Sequence, residues 1–212
     1  MPSIVSVQVS LPLTHVDDEG EWTTAFYKQP VQGQVAATLL GLAGDVVADP
    51  LSHGGEDKAV LAYSRDHFAA WREELGMDGL GGGGFGENLT VEGLDEETVC
   101  IGDVFRAGSV LLEVAQPRPP CGKLARRWRS QELPRRVIET ARTGFYMRVL
   151  EEGTLAAGDA LVLLARPFRQ WTVAETVRLA WTRSSSRRAR LALASCPALA
   201  EGLGHQLLRR AG

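Results

Sequence analysis

The sequence predicts a mainly β fold of the barrel type with a few helices, followed by a small three-helix domain. Short segments of alternating apolar and polar residues are separated by glycine-containing turns, a pattern typical of barrels rather than doubly wound sheets. Residues 1–165 carry 14 Lys and Arg against 24 Asp and Glu, whereas residues 166–212 carry 9 Arg against 2 Glu. We therefore expect one domain over 1–166 and a basic domain over 167–212.

The predicted elements rest on periodicity and on capping residues. Alternation and turn glycines predict strands at 3–11, 21–28, 35–40, 88–92, 98–106, 109–116, 144–150 and 159–165. Caps and helical spacing predict helices at 64–75, from Gly122 onward, and at 172–182, 186–195 and 197–209. In the first strand Val5, Val7 and Val9 should share one face, and Ser64 should cap the first helix. The six glycines within 79–86 predict a mobile loop or a close backbone approach.

Composition bounds the class of protein. With 44% hydrophobic and 23% charged residues, the 212-residue chain is typical of a soluble globular protein. Its net charge of -3 argues against stable nucleic-acid binding, and no apolar run approaches the ~20 residues of a membrane span. The opening residues lack the features of a signal peptide. Three cysteines do not form a disulfide framework, so we expect a reducing, cytoplasmic location.

The clearest chemical signal surrounds Cys121. Pro117, Pro119 and Pro120 hold an extended path, and Cys121 follows them directly before a predicted helix. Seven basic residues and one acidic residue lie between 118 and 136. Helix-start amides and neighbouring cations favour a thiolate, which suits nucleophilic attack or ligation of a soft metal whose own ligand carries phosphate. The alternative is an ordinary buried cysteine, which would not need prolines before it and arginines after it.

The other cysteine readings are weaker. Cys100 lies in an apolar run, so we expect it in the core, and we expect Cys196 to be a packing residue. The absence of a CxxC pair argues against a structural zinc site. Cys121 and Arg127 have the C-x5-R spacing of cysteine phosphatases, but the rest of that loop is missing. A cysteine-dependent hydrolase with His53 or His67 stays open as a further alternative, although nothing orients either histidine.

Two further segments are candidates for ligand binding. In the segment 52–63, His53, two glycines and Lys58 precede a strand and could hold an anion, or form an ordinary polar turn. Glu87 and Asn88 at the start of a strand could hydrogen-bond a heterocycle, or form an Asx turn.

Four segments together resemble the MOSC domain, the C-terminal domain type of molybdenum cofactor sulfurases, and most of all its stand-alone bacterial YiiM-like branch. They are DPLSHGGEDKAVLAYSRDHFAAW (49–71), FGENLTVEGLDEETVCIGDVFRAG (85–108), LLEVAQPRPPCGKLARRW (111–128) and TGFYMRVLEEGTLAAGD (143–159). The resemblance implies a MOSC-type β-barrel. It covers about half of the chain and anchors nothing in the first 45 residues, so cofactor contacts there have no named residue.

The resemblance also implies a molybdenum-pterin cofactor with Cys121 as metal ligand and catalytic residue. Since the pterin supplies dithiolene sulfurs, one protein sulfur suffices, and its phosphate needs cations or helix-start amides. The residues expected to bind the cofactor are His53, Lys58, Glu87, Asn88, Arg118, Lys123 and Arg126.

Related MOSC enzymes reduce N-hydroxylated compounds, and the YiiM-like branch is linked to resistance against N-hydroxylated base analogues. The resemblance therefore implies a reductase of small N-hydroxylated substrates, fed by a separate flavin or iron–sulfur electron donor, with a homodimer as one possible assembly. The alternative is a sulfur or cofactor carrier with a persulfide on Cys121 and no turnover of its own.

Overall fold

The computed structural model describes residues 1–182 and 185–211, so residues 183, 184 and 212 of the predicted basic domain lie outside the described residues. The strands are β1 (Ser3–Val9), β2 (Leu13–Asp17), β3 (Gly20–Thr24), β4 (Gln29–Val31), β5 (Val35–Thr38), β6 (Gly41–Leu42), β7 (Val60–Ser64), β8 (Leu89–Glu92), β9 (Val104–Ala107), β10 (Val110–Pro117), β11 (Phe145–Glu151), β12 (Gly153–Leu155) and β13 (Val162–Ala165). The α-helices are α1 (Pro50–His53), α2 (His67–Leu75), α3 (Gly122–Trp128), α4 (Leu133–Thr140), α5 (Val173–Trp181), α6 (Arg187–Ala194) and α7 (Glu201–Ala211).

A large mixed sheet dominates the fold, which agrees with the mainly β class that the sequence predicts. Its eight strands run in the order β13-β9-β10-β11-β7-β8-β1-β4, and β7 and β8 pair in parallel while their neighbours pair antiparallel. The described residues also form a β12-β5-β6 sheet and a β2-β3 hairpin. An isolated bridge links Ser3 to Ala160, but continuous pairing between the edge strands β13 and β4, and so a closed barrel, is not shown.

The first strand is present but buries a different set of side chains. Ile4 and Val7 are 1% and 0% exposed, whereas Val5 and Val9 are half-buried. The pairing of β1 with β8 shifts register between Ile4 and Ser6, and such a bulge reverses the side-chain alternation that follows it. The expectation of one continuous valine face was therefore wrong.

Two predicted boundaries also differ. Ser64 does not cap a helix: it ends β7, pairs with Val91 of β8, and α2 begins only at His67. The predicted strand at 98–106 is reduced to β9 because the carboxylate of Asp103 accepts the backbone N–H of Cys100 at 2.9 Å and closes a turn there. Cys100 is nevertheless buried, as expected.

The glycine-rich segment packs closely against β1. A Cβ atom at Gly82 would collide with the side chain of Gln8 and lie 2.8 Å from the Ser6 hydroxyl. Gly83 has φ +81°, a conformation that side chains with a Cβ rarely adopt. Of the two predicted roles for this segment, the structure shows the close approach.

The three C-terminal helices are present as α5, α6 and α7 within the described residues. Their buried side chains, including Val173, Leu193 and Leu207, belong to the same hydrophobic cluster as Val114 of β10. The backbone N–H of Ala200 donates to Ala115 at 3.0 Å. A domain boundary at 166 therefore stays a prediction, since the helices pack on the sheet. No described helix is long and apolar enough to cross a membrane.

Candidate functional site

A cavity of about 350 Å³ opens beside the large sheet. Four chain segments and the region around Cys121 form its walls. The segments fall within 24–28, 40–48, 50–61 and 85–88. Phe26, Phe85 and Leu61 give it an apolar side, and charged and polar side chains elsewhere in its wall can orient a ligand.

Cys121 lies where β10 passes into α3. The strand ends at Pro117, and Cys121 itself has the extended backbone of a helix N-cap, with φ −138° and ψ 154°. Pro119 and Pro120, beyond the end of the strand, lack an N–H and so cannot donate to the sheet ladder. The thiol is partly exposed and lines the cavity, whereas Cys100 and Cys196 are buried elsewhere.

Arg118 is the nearest cation to this sulfur. Its Nη2 lies 3.4 Å from Cys121 Sγ, and its guanidinium lies 5.6 Å from the ring centre of Phe26. The residue is only 5% exposed, and the buried Nη1 finds no hydrogen-bond partner among the described residues. A buried donor without a partner costs free energy, so this nitrogen is available to a ligand in the cavity.

The loop that follows α1 brings further polar groups to the cavity. Asp49 caps α1 through the N–H of Ser52 at 3.2 Å, and Lys58 Nζ donates to the carbonyl of Ser52 at 2.7 Å. Burial lowers the pKa of His53, and the positive charges of Lys123 and Arg118 lower it further. His53 is therefore a neutral imidazole near pH 7, and the lysines carry the charge.

All three lysines of this arginine-rich chain, Lys28, Lys58 and Lys123, line the cavity. Lys28 forms an ion pair with Asp45, and burial lowers the pKa of this lysine while Asp45 opposes the shift. Asp45 also accepts from Asn88 Nδ2 at 2.9 Å. Lysine is a common phosphate ligand because it acts as a point charge with three donors.

Asn88, Arg118, Lys123, His53 and Lys58 are brought together with Cys121 as the sequence predicts. Lys28, Asp45 and Tyr146 also line the cavity and were missed. Lys28 and Asp45 lie in the first 45 residues, where no motif points to a ligand. Burial raises the pKa of Tyr146, with the neighbouring Arg118 opposing it, so the phenol keeps its proton near neutral pH.

Glu87 and Arg126 are not among the residues that line this cavity. Glu87 is fully buried, and its carboxylate accepts from the N–H groups of Gly83 and Phe85 and from the Thr90 hydroxyl, at 2.8 to 3.0 Å. Arg126 binds Asp17 of the β2-β3 hairpin at 2.6 and 2.8 Å. These two residues hold the surrounding loops in place.

The arrangement offers one sulfur and several cations rather than a cage of metal ligands. In the part of the chain that the structure describes, no group of three or more His, Cys, Asp or Glu side chains could hold a metal ion. Among the described residues, Cys121 is the one thiol that lines this cavity, and a thiolate is a soft metal ligand.

Comparison with known proteins identifies the family. The MOSC domain profile matches residues 49–162, and the chain is 44% identical over 164 residues to YflK of Bacillus subtilis, covering 77% of this chain and 74% of that protein. The chain belongs to the MOSC domain family.

Structural similarity places it more narrowly. The crystal structure of YiiM from Geobacillus stearothermophilus superposes with a TM-score of 0.85 at 35% identity and covers 100% of both chains. This is therefore a YiiM-like MOSC protein. The chain is also 41% identical over 170 residues to a protein of Gibberella moniliformis named "Reductase", covering 79% of this chain and 30% of that protein.

Proposed function

We propose that this protein binds a molybdenum-pterin cofactor in the Cys121 cavity and reduces N-hydroxylated compounds. The observation that carries the proposal is the contact between Cys121 Sγ and Arg118 Nη2, 3.4 Å apart in the wall of a lysine-lined cavity. Membership of the MOSC family and similarity to a protein named "Reductase" support it.

The residues present fit such a cofactor. Cys121 supplies the one soft protein ligand, and the unpartnered Nη1 of Arg118 can donate to an anionic group beside it. Lys58 and Lys123 would hold a phosphate, since both line the cavity. Asn88 is fixed by the N–H of Leu61 and by Asp45, so it can present only part of its amide to a heterocycle.

When bound, the cofactor supplies two-electron chemistry that removes oxygen from nitrogen and releases water. The protein positions the reacting groups. Arg118 Nη2 contacts Sγ of Cys121 at the cavity wall, and the protonated Oη of Tyr146 can donate a hydrogen bond into the cavity. The aromatic side of the cavity, with Phe26 and Phe85, limits access of water.

The proposal includes a partner and a location. The scheme needs two electrons for each substrate molecule, and a flavin or iron–sulfur protein would supply them. A reducing compartment such as the cytoplasm would keep Cys121 as a free thiol. A homodimer is compatible with this scheme, and the catalytic groups named above all come from one chain.

The test is metal and pterin analysis of protein produced in a host that makes the cofactor. We expect stoichiometric molybdenum and pterin fluorescence in the parent protein and in Cys196→Ser, whose cysteine is buried outside the cavity. Cys121→Ser should lose both and should lose reduction of an N-hydroxylated substrate. Metal-free protein with unchanged activity would contradict the proposal.

Two further measurements on the same protein preparation distinguish a carrier from a reductase. Intact-mass analysis of a carrier would show one extra sulfur atom on Cys121, and it would show no turnover with a chemical reductant and a hydroxylamine substrate. A cysteine hydrolase would instead act without any metal. We expect neither result.

A further inference from the structure

The Lys58 loop, residues 54–58, forms part of the wall of the Cys121 cavity. Gly54, Gly55 and Lys58 line the cavity. Gly55 has φ +95°, a conformation that residues with a Cβ rarely adopt, so the chain turns sharply before a short 3₁₀ helix that ends at Lys58. The position of the Lys58 ammonium in the cavity wall therefore depends on how this turn is held.

One carboxylate fastens the Lys58 loop from outside the cavity. Asp57 Oδ1 accepts a hydrogen bond from Arg148 Nε, and Asp57 Oδ2 accepts one from the backbone N–H of Glu201 at 3.1 Å. Glu201 is the first residue of α7. Asp57 is not among the residues that line the Cys121 cavity. Two neighbours in one loop therefore have different partners: Lys58 reaches the cavity, and Asp57 binds the sheet and the C-terminal helices.

Arg148 connects the Lys58 loop to two further parts of the fold. It lies in β11 two residues after Tyr146, which lines the cavity, so both side chains point to the same face of the strand. Its Nη1 donates to the carboxylate of Glu113 in β10 and to the carbonyl of Ala198, both at 2.8 Å. Ala198 lies between α6 and α7 and is buried. One guanidinium thus joins the loop, the large sheet and the C-terminal helices.

The ion pair is enclosed enough to fix the loop. The side chains of Asp57 and Arg148 are 31% and 18% exposed, whereas those of the surface pair Arg65 and Glu92 are 50% and 44% exposed. Charged hydrogen bonds are the stronger ones, and a planar guanidinium donates in fixed directions. Because Arg148 pairs with Asp57, this carboxylate leaves the positive charge of Lys58 available to an anion in the cavity.

We propose that Asp57 and Arg148 are positioning residues, whose ion pair holds the Lys58 loop where Lys58 binds an anionic group in the Cys121 cavity. For the phosphate of a pterin cofactor this inference rests on the proposed function, whereas for an inorganic anion it does not. The C-terminal helices thereby support the cavity, since the backbone at Ala198 and Glu201 completes the network around the pair.

Protection of Cys121 from iodoacetamide by pyrophosphate measures anion binding in the cavity. The assay uses intact-mass analysis of the full-length protein from a host without the cofactor, and the other two cysteines are buried. If charge alone mattered, removing a carboxylate beside Lys58 would strengthen binding. We expect Asp57→Asn instead to weaken pyrophosphate binding about tenfold, the effect of one lost charged hydrogen bond. Glu56→Gln is the control: it makes the same charge change on an exposed neighbour and should not weaken binding.

The effect of Asp57 should depend on Lys58. Lys58→Ala should itself weaken pyrophosphate binding, and adding Asp57→Asn to it should have little further effect, because the group to be positioned is gone. Arg148→Lys should retain more affinity than Arg148→Ala, since it keeps the charge. Melting temperatures check that each variant folds. If the Arg148 variants unfold, Asp57→Asn still decides, because its side-chain oxygen can accept from the N–H of Glu201.

Pyrophosphate binding that is unchanged or tighter in Asp57→Asn would overturn the inference, as would an equal weakening with and without Lys58, or no binding to the parent. Parent protein that binds pyrophosphate but acquires no molybdenum in a cofactor-producing host would contradict the proposed function alone. Molybdenum-containing parent protein, together with an Asp57→Asn variant that binds pyrophosphate as the parent does, would contradict this inference alone.

Discussion

Arg118→Ala separates a ligand-binding role of this arginine from a structural one. The side chain contributes one hydrogen bond to a sulfur, at 3.4 Å, and one buried nitrogen without a partner. In the proposed complex, the unpartnered nitrogen of Arg118 donates to an anionic group of the cofactor. A hydrogen bond to a charged group contributes about 1.5–3 kcal/mol, so losing this bond should weaken cofactor retention about 10- to 150-fold. Folding should change little, because the substitution also removes a buried donor that the protein leaves unpaired.

The assay compares molybdenum content after extended dialysis with the melting temperature. Arg118→Lys keeps the charge but not the planar fork, so we expect an intermediate loss of molybdenum. Arg65→Ala is the control, since Arg65 is exposed and pairs with Glu92 outside the cavity. The melting temperature of Arg118→Ala should stay within about 3 °C of the parent. A collapse in melting temperature with molybdenum retained would show that Arg118 is a structural residue.

Trp71→Ala should lower the free energy of unfolding by about 3–5 kcal/mol, because the indole is fully buried in an aromatic cluster. A decrease of less than about 1 kcal/mol, measured by urea denaturation, would refute this. Arg166→Ala should lower the free energy of unfolding by about 3 kcal/mol, because the substitution leaves the fully buried carboxylate of Asp103 without its cation. An unchanged midpoint of urea denaturation would refute this prediction. Arg126 lowers the pKa of Asp17 from 3.8 to about 2, so the ionised carboxylate stabilises the hairpin fully above pH 3.8 and this stabilisation is lost as the pH falls through about 2. NMR of the hairpin should show this acid transition in the parent protein, and the same transition in Asp17→Asn would argue against it.

Much of the strand and helix content could be predicted because the signal is local. Phe68 and Trp71, three residues apart in the predicted helix 64–75, are both buried, and strands β10 and β11 lie within a few residues of their predicted bounds. Local patterns failed where a distant contact decides the outcome. The bulge at Ile4 depends on pairing with β8, and the Asp103 carboxylate that closes the turn before β9 binds Arg166, 63 residues further along the chain.

In the candidate site too, residues that are close together in sequence could be predicted, and residues brought there only by the fold could not. Cys121, Arg118 and Lys123 lie close together in the chain, so one segment predicts their chemistry. Lys28 and Asp45 reach the cavity from the weakly patterned start of the sequence, where only the fold determines proximity. One signal was available: the chain has three lysines among its 23 basic residues, and this scarcity singles them out. Arg126 is the opposite case, since it is close to Cys121 in sequence but forms an ion pair with Asp17.

X-ray absorption at the molybdenum edge is the most direct test of the central claim that Cys121 is the protein ligand of a cofactor metal. We predict a molybdenum site in the parent protein whose sulfur shell includes one thiolate beyond those of the pterin. Cys121→Ser, reconstituted with the same cofactor, should show one sulfur fewer or no bound molybdenum. An identical sulfur shell in both proteins would contradict the account.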